Sequence, residues 1–120
     1  MVYKSNEEHN QSAIIEMIAN NKPDVTEVDL SSSGIASGHT EELAAAISNN
    51  THLTSLDLSN NGLVDDSWNN FLKAIEGNNT LKKLNIKNTS LSKEAIENTI
   101  KVCEKQSISL EYTISKSLKP

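Results

Sequence analysis

The sequence predicts a mixed α/β fold, a solenoid in which short strands alternate with helices around one continuous core. The first observation is that apolar residues recur with a fixed period of 28 residues, because periods of about 20–50 residues are typical of repeat architectures. The second is that each period contains an alternating apolar segment followed by apolar residues at helical spacing. These are the patterns of a strand and of a helix.

The strand half of the repeat is clearest in the second copy, where residues 53–63 follow the pattern Leu-x-x-Leu-x-Leu-x-x-Asn-x-Leu. A step of one period in either direction reaches apolar residues at the four leucine positions. These residues are Val25, Val28, Leu30 and Ile35 in the first copy and Leu81, Leu84, Ile86 and Leu91 in the third. After the strand, the segment 60–62 predicts a tight turn, because Gly62 is able to adopt a positive φ and the Asn61 side chain is able to hydrogen-bond neighbouring backbone groups.

The helix half repeats with the same period. In the second copy we expect Asp66 to cap a helix at its N-terminus. Phe71, Leu72 and Ile75 then fall on the side of this helix that packs against the strands. The equivalent residues are Leu43, Ala44 and Ile47 in the first copy and Thr99, Ile100 and Cys103 in the third.

We expect a single domain with atypical ends. Its parts are an N-terminal capping helix and linker at 1–24, repeats at 25–52, 53–80 and 81–108, and a partial C-terminal repeat at 109–120. In the N-terminal part, Ile14, Ile15 and Ile18 match the apolar helix positions of the first copy, so a capping helix is predicted within residues 6–20.

In the C-terminal part, residues 108–114 predict a final strand, in which a step of one period aligns Tyr112 with Leu84. The outer edge of this strand is expected to be open, blunted only by Lys116, Lys119 and Pro120.

Composition narrows the classes of partner. The 11 basic and 16 acidic residues give a net charge of −5, which argues against the basic surface that nucleic-acid binding requires. No apolar run approaches the roughly 18 residues of a membrane span, and the N-terminus lacks the apolar core of a signal peptide. We therefore expect a soluble protein. A lone cysteine, Cys103, excludes an internal disulfide and fits a reducing compartment, and it fits a secreted protein without disulfides equally well.

The repeat resembles the ribonuclease-inhibitor-like subclass of leucine-rich repeat proteins, which includes the repeat domains of tropomodulins and of nucleotide-binding immune receptors. The resemblance covers about residues 14–114 and rests on the pattern at 53–63 and the helix phrase at 43–47. It implies a right-handed, curved solenoid with parallel strands on the concave side and helices on the convex side, used to hold other proteins. Ser33 and Thr89 replace the asparagine at position 61, which predicts an incomplete asparagine ladder.

The chain is also similar to small leucine-rich repeat effectors that intracellular bacterial pathogens deliver into host cells, and its short length and its Asn, Ser and Lys content favour that origin. This resemblance implies a cytoplasmic protein, or one secreted into the cytosol of a host cell. Its partner would then be a host protein.

Strand residues that point away from the helices are the candidate binding residues. They are Glu27, Asp29, Ser31, Ser55, Asp57, Ser59, Lys83, Asn85, Lys87, Glu111, Thr113 and Ser115. Acidic residues dominate the first half and lysines follow one strand later, so this face could orient a partner of complementary charge. Alternatively, Asp57 pairs with Lys83 or Lys87 across adjacent strands, at small net benefit.

Two aromatic residues are further candidate anchors, because binding hot spots are enriched in Trp and Tyr. Trp68 begins the second helix, where we expect semi-buried packing or, alternatively, an exposed anchor. Tyr112 points inward in the predicted register, so it serves as an anchor only where the open end leaves it uncovered.

Nothing in the sequence predicts an enzyme, a cofactor or a metal site. Cys103 falls on the inward helix column and is expected to act as a small hydrophobe. His9, His39 and His52 lie apart, and Asp65 and Asp66 lack a third metal ligand. The sequence therefore predicts a non-catalytic module that binds a partner protein. The alternative is a self-assembling protein that forms a homodimer through its open C-terminal strand edge.

Overall fold

The computed structural model describes residues 2–6 and 10–114, and within them five strands alternate with four helices. The elements are β1 (Val2–Lys4), α1 (Gln11–Ala19), β2 (Glu27–Asp29), α2 (Ser37–Ser48), β3 (Ser55–Asp57), α3 (Asp65–Glu76), β4 (Lys83–Asn85), α4 (Lys93–Gln106) and β5 (Ser109–Glu111). All neighbouring strands are parallel, and the sheet follows the chain order from β1 to β5. The predicted α/β solenoid is confirmed.

In the middle of the sheet, residues one repeat period apart are direct neighbours. Val28 pairs with Leu56, and Leu56 with Leu84. All three side chains are buried, and because side chains alternate along a strand, the flanking residues face the opposite side. The predicted helix residues are also buried, with Ile100 half-buried. One core thus continues from repeat to repeat, as expected of a solenoid.

The N-terminal end contains a strand that the sequence analysis missed. Tyr3 pairs with Val28. Because these two residues are separated by less than one repeat period, the period does not reveal β1. The Tyr3 hydroxyl donates to Asp24 Oδ2 at 2.7 Å, a bond that raises the pKa of Tyr3 and lowers that of Asp24. The prediction of a helix and linker alone at 1–24 is therefore wrong, although α1 lies within the predicted range.

At the C-terminal end the strand pairs in a different register from the predicted one. Leu84 pairs with Leu110, not with Tyr112, so that alignment is wrong. The physical reason is the end of α4: Ser107 is left-handed (φ 59°), and the Ile108 N–H donates to Cys103 O at 2.8 Å. This Schellman-type cap turns the chain directly into β5. Lys116, Lys119 and Pro120 lie outside the described residues.

The turns after the strands use a different residue from the predicted one. Positive φ values occur at Ser32, Asn60 and Asn88, one in each turn, and not at Gly62, although its equivalent Gly34 in the first turn has φ 68°. Before each of these turn residues, the side chain of the last strand residue accepts the backbone N–H of the residue two positions later. Asp57 Oδ1, for example, accepts the Ser59 N–H at 2.9 Å. These Asx turns begin the change of chain direction before the position of Gly62.

Asp66 is not a helix cap, because α3 begins at Asp65 with Val64 at the N-cap position. The Asp65 carboxylate instead accepts the backbone N–H and the hydroxyl of Ser92, at 3.0 and 2.6 Å. This carboxylate therefore joins the start of α3 to the start of α4.

The Asn61 side chain makes hydrogen bonds to backbone N–H and C=O groups of the strand-to-helix turn. Its Nδ2 donates to the Leu30 and Leu58 carbonyls at 2.9 and 3.0 Å, and its Oδ1 accepts the Ser33 and Ile35 N–H groups. At the equivalent positions, the Ser33 and Thr89 hydroxyls each donate to one carbonyl, those of Ser31 and Ile86. As predicted, the asparagine ladder at this turn is incomplete.

A second amide ladder, which the sequence analysis missed, lies at the helix-to-strand turn. It consists of Asn50, Asn78 and Gln106, each one repeat period from the next. Asn78 is typical: its Nδ2 donates to Ile47 O and Asn50 O at 3.0 Å, and its Oδ1 accepts the N–H groups of residues 80 and 81. Each amide thus connects its own repeat to the preceding one.

Trp68 lies in the centre of the core. It is 0% exposed, stacks on Phe71 with ring centroids 4.5 Å apart, and donates from Nε1 to Thr99 Oγ1 at 2.8 Å. The Thr99 hydroxyl in turn donates to Ala95 O at 2.7 Å. Both expectations for Trp68, semi-buried packing and an exposed anchor, are wrong.

We expect Thr99→Val to lower the free energy of unfolding by about 1–3 kcal/mol, because it leaves the buried Trp68 N–H without an acceptor. Thr40→Val is the matched control. Thr40 is also 0% exposed and donates to the carbonyl four residues before it, but it accepts no indole N–H. Urea unfolding followed by far-UV circular dichroism measures both losses, and equal losses would contradict this role of Thr99.

Asn78→Ala should destabilise the protein by more than about 3 kcal/mol, because it removes the partners of two carbonyl and two N–H groups near the core. Asn79→Ala is the control, since Asn79 is exposed and its side chain makes no hydrogen bond in the described structure. We expect this control to change stability by less than about 0.5 kcal/mol. Similar unfolding midpoints for the two variants would show that the ladder contributes little.

Candidate functional site

The residues that flank the buried strand positions form two columns on the side of the sheet opposite the core. We call these columns the strand face. The first column is Val2, Glu27, Ser55, Lys83 and Ser109, and the second is Lys4, Asp29, Asp57, Asn85 and Glu111. The structure brings together the predicted strand residues and adds three that the sequence analysis did not place there: Val2, Lys4 and Ser109. These three belong to the end strands, where the repeat period fails.

The predicted residues that follow the strands differ in accessibility. Ser59 is only 7% exposed and donates its hydroxyl to Asp57 Oδ1 at 2.7 Å, so its assignment to a partner-binding surface is wrong. Ser31 is half-buried and makes the same bond to Asp29. Lys87 and Thr113 are exposed, whereas Ser115 lies outside the described residues.

The charges of the strand face are paired at its two ends. Within residues 2–6 and 10–114 the ion pairs are Lys4 with Asp29 and Lys87 with Glu111, each at 3.9 Å. Asp57 makes no ion pair with Lys83 or Lys87, so the alternative of cross-strand pairing there is wrong. Because Lys4 adds a cation to the acidic end, the face is less strictly divided into an acidic and a basic half than the sequence predicts.

A shallow depression of about 320 Å³ lies over β3, β4 and β5. It is lined by Ser55, Asp57, Lys83, Asn85, Ser109 and Glu111, with Leu56 and Leu84. The Lys83 ammonium, Asp57 Oδ2 and Asn85 Nδ2 make no hydrogen bond to any described residue. These three groups come from two adjacent strands, β3 and β4, and are available to a bound molecule.

Among the described residues, the cysteine and histidine side chains outside this face do not converge on a catalytic arrangement. Cys103 is 2% exposed, and burial raises the pKa of its thiol to about 11, which confirms it as a small buried hydrophobe. His39 Nδ1 accepts the Ala36 N–H at 3.4 Å, and His52 Nδ1 lies 3.0 Å from Asn21 Oδ1. His9 is outside the described residues.

The described ranges contain no group of three His, Cys, Asp or Glu side chains placed to hold a metal ion. The same part of the chain has no helix with the length and apolar character needed to cross a bilayer.

The Cys103 thiol should react slowly with an alkylating reagent in the folded protein at about pH 8, because the thiolate is the reactive form and its pKa is raised to about 11. The rate should increase as the pH approaches that value. In urea the pKa returns to about 8.5, and alkylation should become fast. Mass spectrometry of the alkylated protein measures both rates, and equal rates in the two states would show that the thiol is accessible in the fold.

Comparisons with known proteins agree with this architecture. A family model described as "Leucine Rich repeat" matches residues 49–67, and no curated protein sequence matches the chain. The structure is similar to the tropomodulin C-terminal domain of Caenorhabditis elegans, with a TM-score of 0.73 and 19% sequence identity, over 88% of this chain and 64% of that one. The chain therefore spans less than two thirds of the tropomodulin structure that it matches.

It is also similar to actin-binding site 2 of leiomodin-1, with a TM-score of 0.68 and 16% identity, over 87% of this chain and 79% of that one. At these identities the likeness concerns the fold alone. Together with the parallel sheet and the regular repeat spacing, these similarities show that the chain folds as a leucine-rich repeat solenoid.

Proposed function

We propose that the chain is a non-catalytic protein-interaction module that binds a partner protein through its strand face. The observation that supports this proposal is the depression over β3, β4 and β5, where Lys83, Asp57 and Asn85 present unengaged polar groups. Neighbouring strands lie about 4.8 Å apart, so the sheet holds these groups at fixed spacings. A rigid array of mixed charge favours a partner of complementary charge and shape.

The chemistry of the face suggests the partner surface. The exposed Lys83 suits a carboxylate of the partner, whereas Asp57 and Glu27 suit a lysine or an arginine. Tyr112 is 41% exposed just after β5 and adds an aromatic anchor at one end. We therefore expect a partner segment that crosses the strands from Glu27 to Tyr112 and contains charges of both signs.

The comparisons supply the first partner to test. The leiomodin-1 structure is named for its binding of actin, so actin is a defined candidate. The resemblance of the sequence to the ribonuclease-inhibitor-like subclass and to small bacterial effectors extends the proposal to other proteins of a eukaryotic host cell. The net charge of −5 supports a protein rather than a nucleic acid as the partner.

The burial of the cysteine thiol and the contacts of the histidine side chains support the proposal that the module is non-catalytic. The Cys103 thiol is buried, the His39 imidazole accepts the nearby Ala36 N–H, and the His52 imidazole contacts Asn21 of the preceding turn. A nucleophile with an adjacent base is the usual signature of covalent catalysis, and neither the Cys103 thiol nor the imidazoles of His39 and His52 form such a pair in the described part of the chain.

Lys83→Glu should weaken partner binding about tenfold or more, because it reverses the one charge in the depression that neither a hydrogen bond nor an ion pair engages. The wild type is first used to capture partners from eukaryotic and bacterial lysates, with purified actin filaments tested by cosedimentation. The dissociation constant of the captured protein is then measured for the wild type and the variant. Lys83 is preferable to Asp57 for this test, because Asp57 also holds the turn at Ser59.

Lys82→Glu is the matched control. Lys82 is also exposed and makes the same charge change, but it precedes the strand and its ammonium lies 3.4 Å from Asn79 O. We expect this control to bind like the wild type. Equal losses in the two variants would indicate a nonspecific charge effect, and no loss in either would place the interface on the helices instead of the strand face.

A further inference from the structure

The two ends of the sheet present unpaired backbone groups. Within the described residues, β1 and β5 are the outermost strands. In β5 the Ser109 N–H donates to Lys82 O, and Glu111 O accepts the Ile86 N–H, both at 2.8 Å. Backbone groups of alternate residues point to opposite edges of a strand, so the N–H and C=O of Leu110 point outward. By the same alternation, the backbone groups of Val2 and Lys4 point outward from β1.

Apolar side chains are uncovered at these same two edges. Four large apolar side chains of the described structure are exposed, and three of them lie in or beside the end strands. They are Val2, at 53%, and Tyr112 and Ile114, each at 41%. The strand residues that face the core show the same pattern. Val28, Leu56 and Leu84 in the middle of the sheet are buried, whereas Tyr3 and Leu110 at its two ends are half-buried.

The two edges also have opposite charges at matching positions. Lys4 and Glu111 occupy the two ends of the second column of the strand face. Their side chains remain accessible beside their own ion pairs, with 66% and 59% of their surface exposed. A parallel continuation of the sheet from β5 into β1 of another copy would place Ser109 beside Val2, Leu110 beside Tyr3 and Glu111 beside Lys4.

We propose that the chain assembles head to tail with further copies of itself, with β5 of one copy pairing in parallel with β1 of the next. This pairing satisfies the outward backbone groups, covers the exposed apolar residues and brings Lys4 and Glu111 together. The interface joins two different surfaces, so each added copy leaves both kinds of edge free and assembly continues beyond a dimer. This proposal is independent of the binding of another protein by the strand face.

Two proline variants test the proposal, because each blocks one edge. Leu110→Pro removes an N–H that points away from β4, and Lys4→Pro removes one that points away from β2, so the pairings inside each copy remain. Sedimentation velocity and light scattering give the mass over a range of concentrations, with far-UV circular dichroism as a control of folding. We expect the mass of the wild type to rise beyond that of a dimer, and each variant alone to be a monomer.

An equimolar mixture of the two variants should form a one-to-one dimer and nothing larger, since Lys4→Pro retains a free β5 and Leu110→Pro a free β1. A wild type that stays monomeric up to about 1 mM, the range of very weak association, would overturn the proposal. A dimer formed by Lys4→Pro alone would also overturn it, because this result requires two β5 strands to pair with each other.

Charge reversal provides a second test that leaves the backbone unchanged. Glu111→Lys should raise the dissociation constant roughly three- to tenfold, the range for a cross-strand pair that changes from attraction to repulsion. Adding Lys4→Glu to the same chain should restore the association. Glu76→Lys, an exposed charge reversal at the end of α3, should leave it unchanged. Failure of the double variant to recover would contradict the contact between Lys4 and Glu111.

Discussion

Each repeat of this solenoid must turn a helix back into a strand, and that turn leaves backbone groups next to the core. The amides of Asn50, Asn78 and Gln106 satisfy these groups and bind each turn to the one before it. A buried N–H or C=O without a partner costs about 1–3 kcal/mol, so the stack depends on this ladder as well as on its apolar residues. The ladder also fixes the spacing between turns, and with it the register of the strands.

The register in turn determines the strand face. Because Leu56 pairs with Leu84 and their neighbours follow in step, Asp57 lies beside Asn85, and Ser55 beside Lys83. The polar groups over β3, β4 and β5 are therefore placed by the packing of the opposite side of the sheet. A change in the core that shifted one strand by a single residue would exchange the buried and exposed sides of that strand.

The central repeats could be predicted from the sequence because three copies agree at one period. The ends could not, since β1 and β5 each lie closer along the chain to the neighbouring strand than one full period. The strand-face columns over β2, β3 and β4 were predictable for the same reason as the repeats, whereas Lys4 and Ser109 were not. The amide ladder could not be predicted either, since the burial of Asn78 depends on carbonyls of the preceding repeat, which local sequence patterns do not reveal.

Trp68 allows the packing of α4 against α3 to be followed by fluorescence. It is the only tryptophan of the chain, and its indole N–H bonds to Thr99 across the boundary between α3 and α4. Separation of α4 from the stack would move the indole from a dry environment into water, while the N-terminal helix stayed in place. The emission spectrum of the unmodified protein therefore reports on the fraying of one particular end of the solenoid.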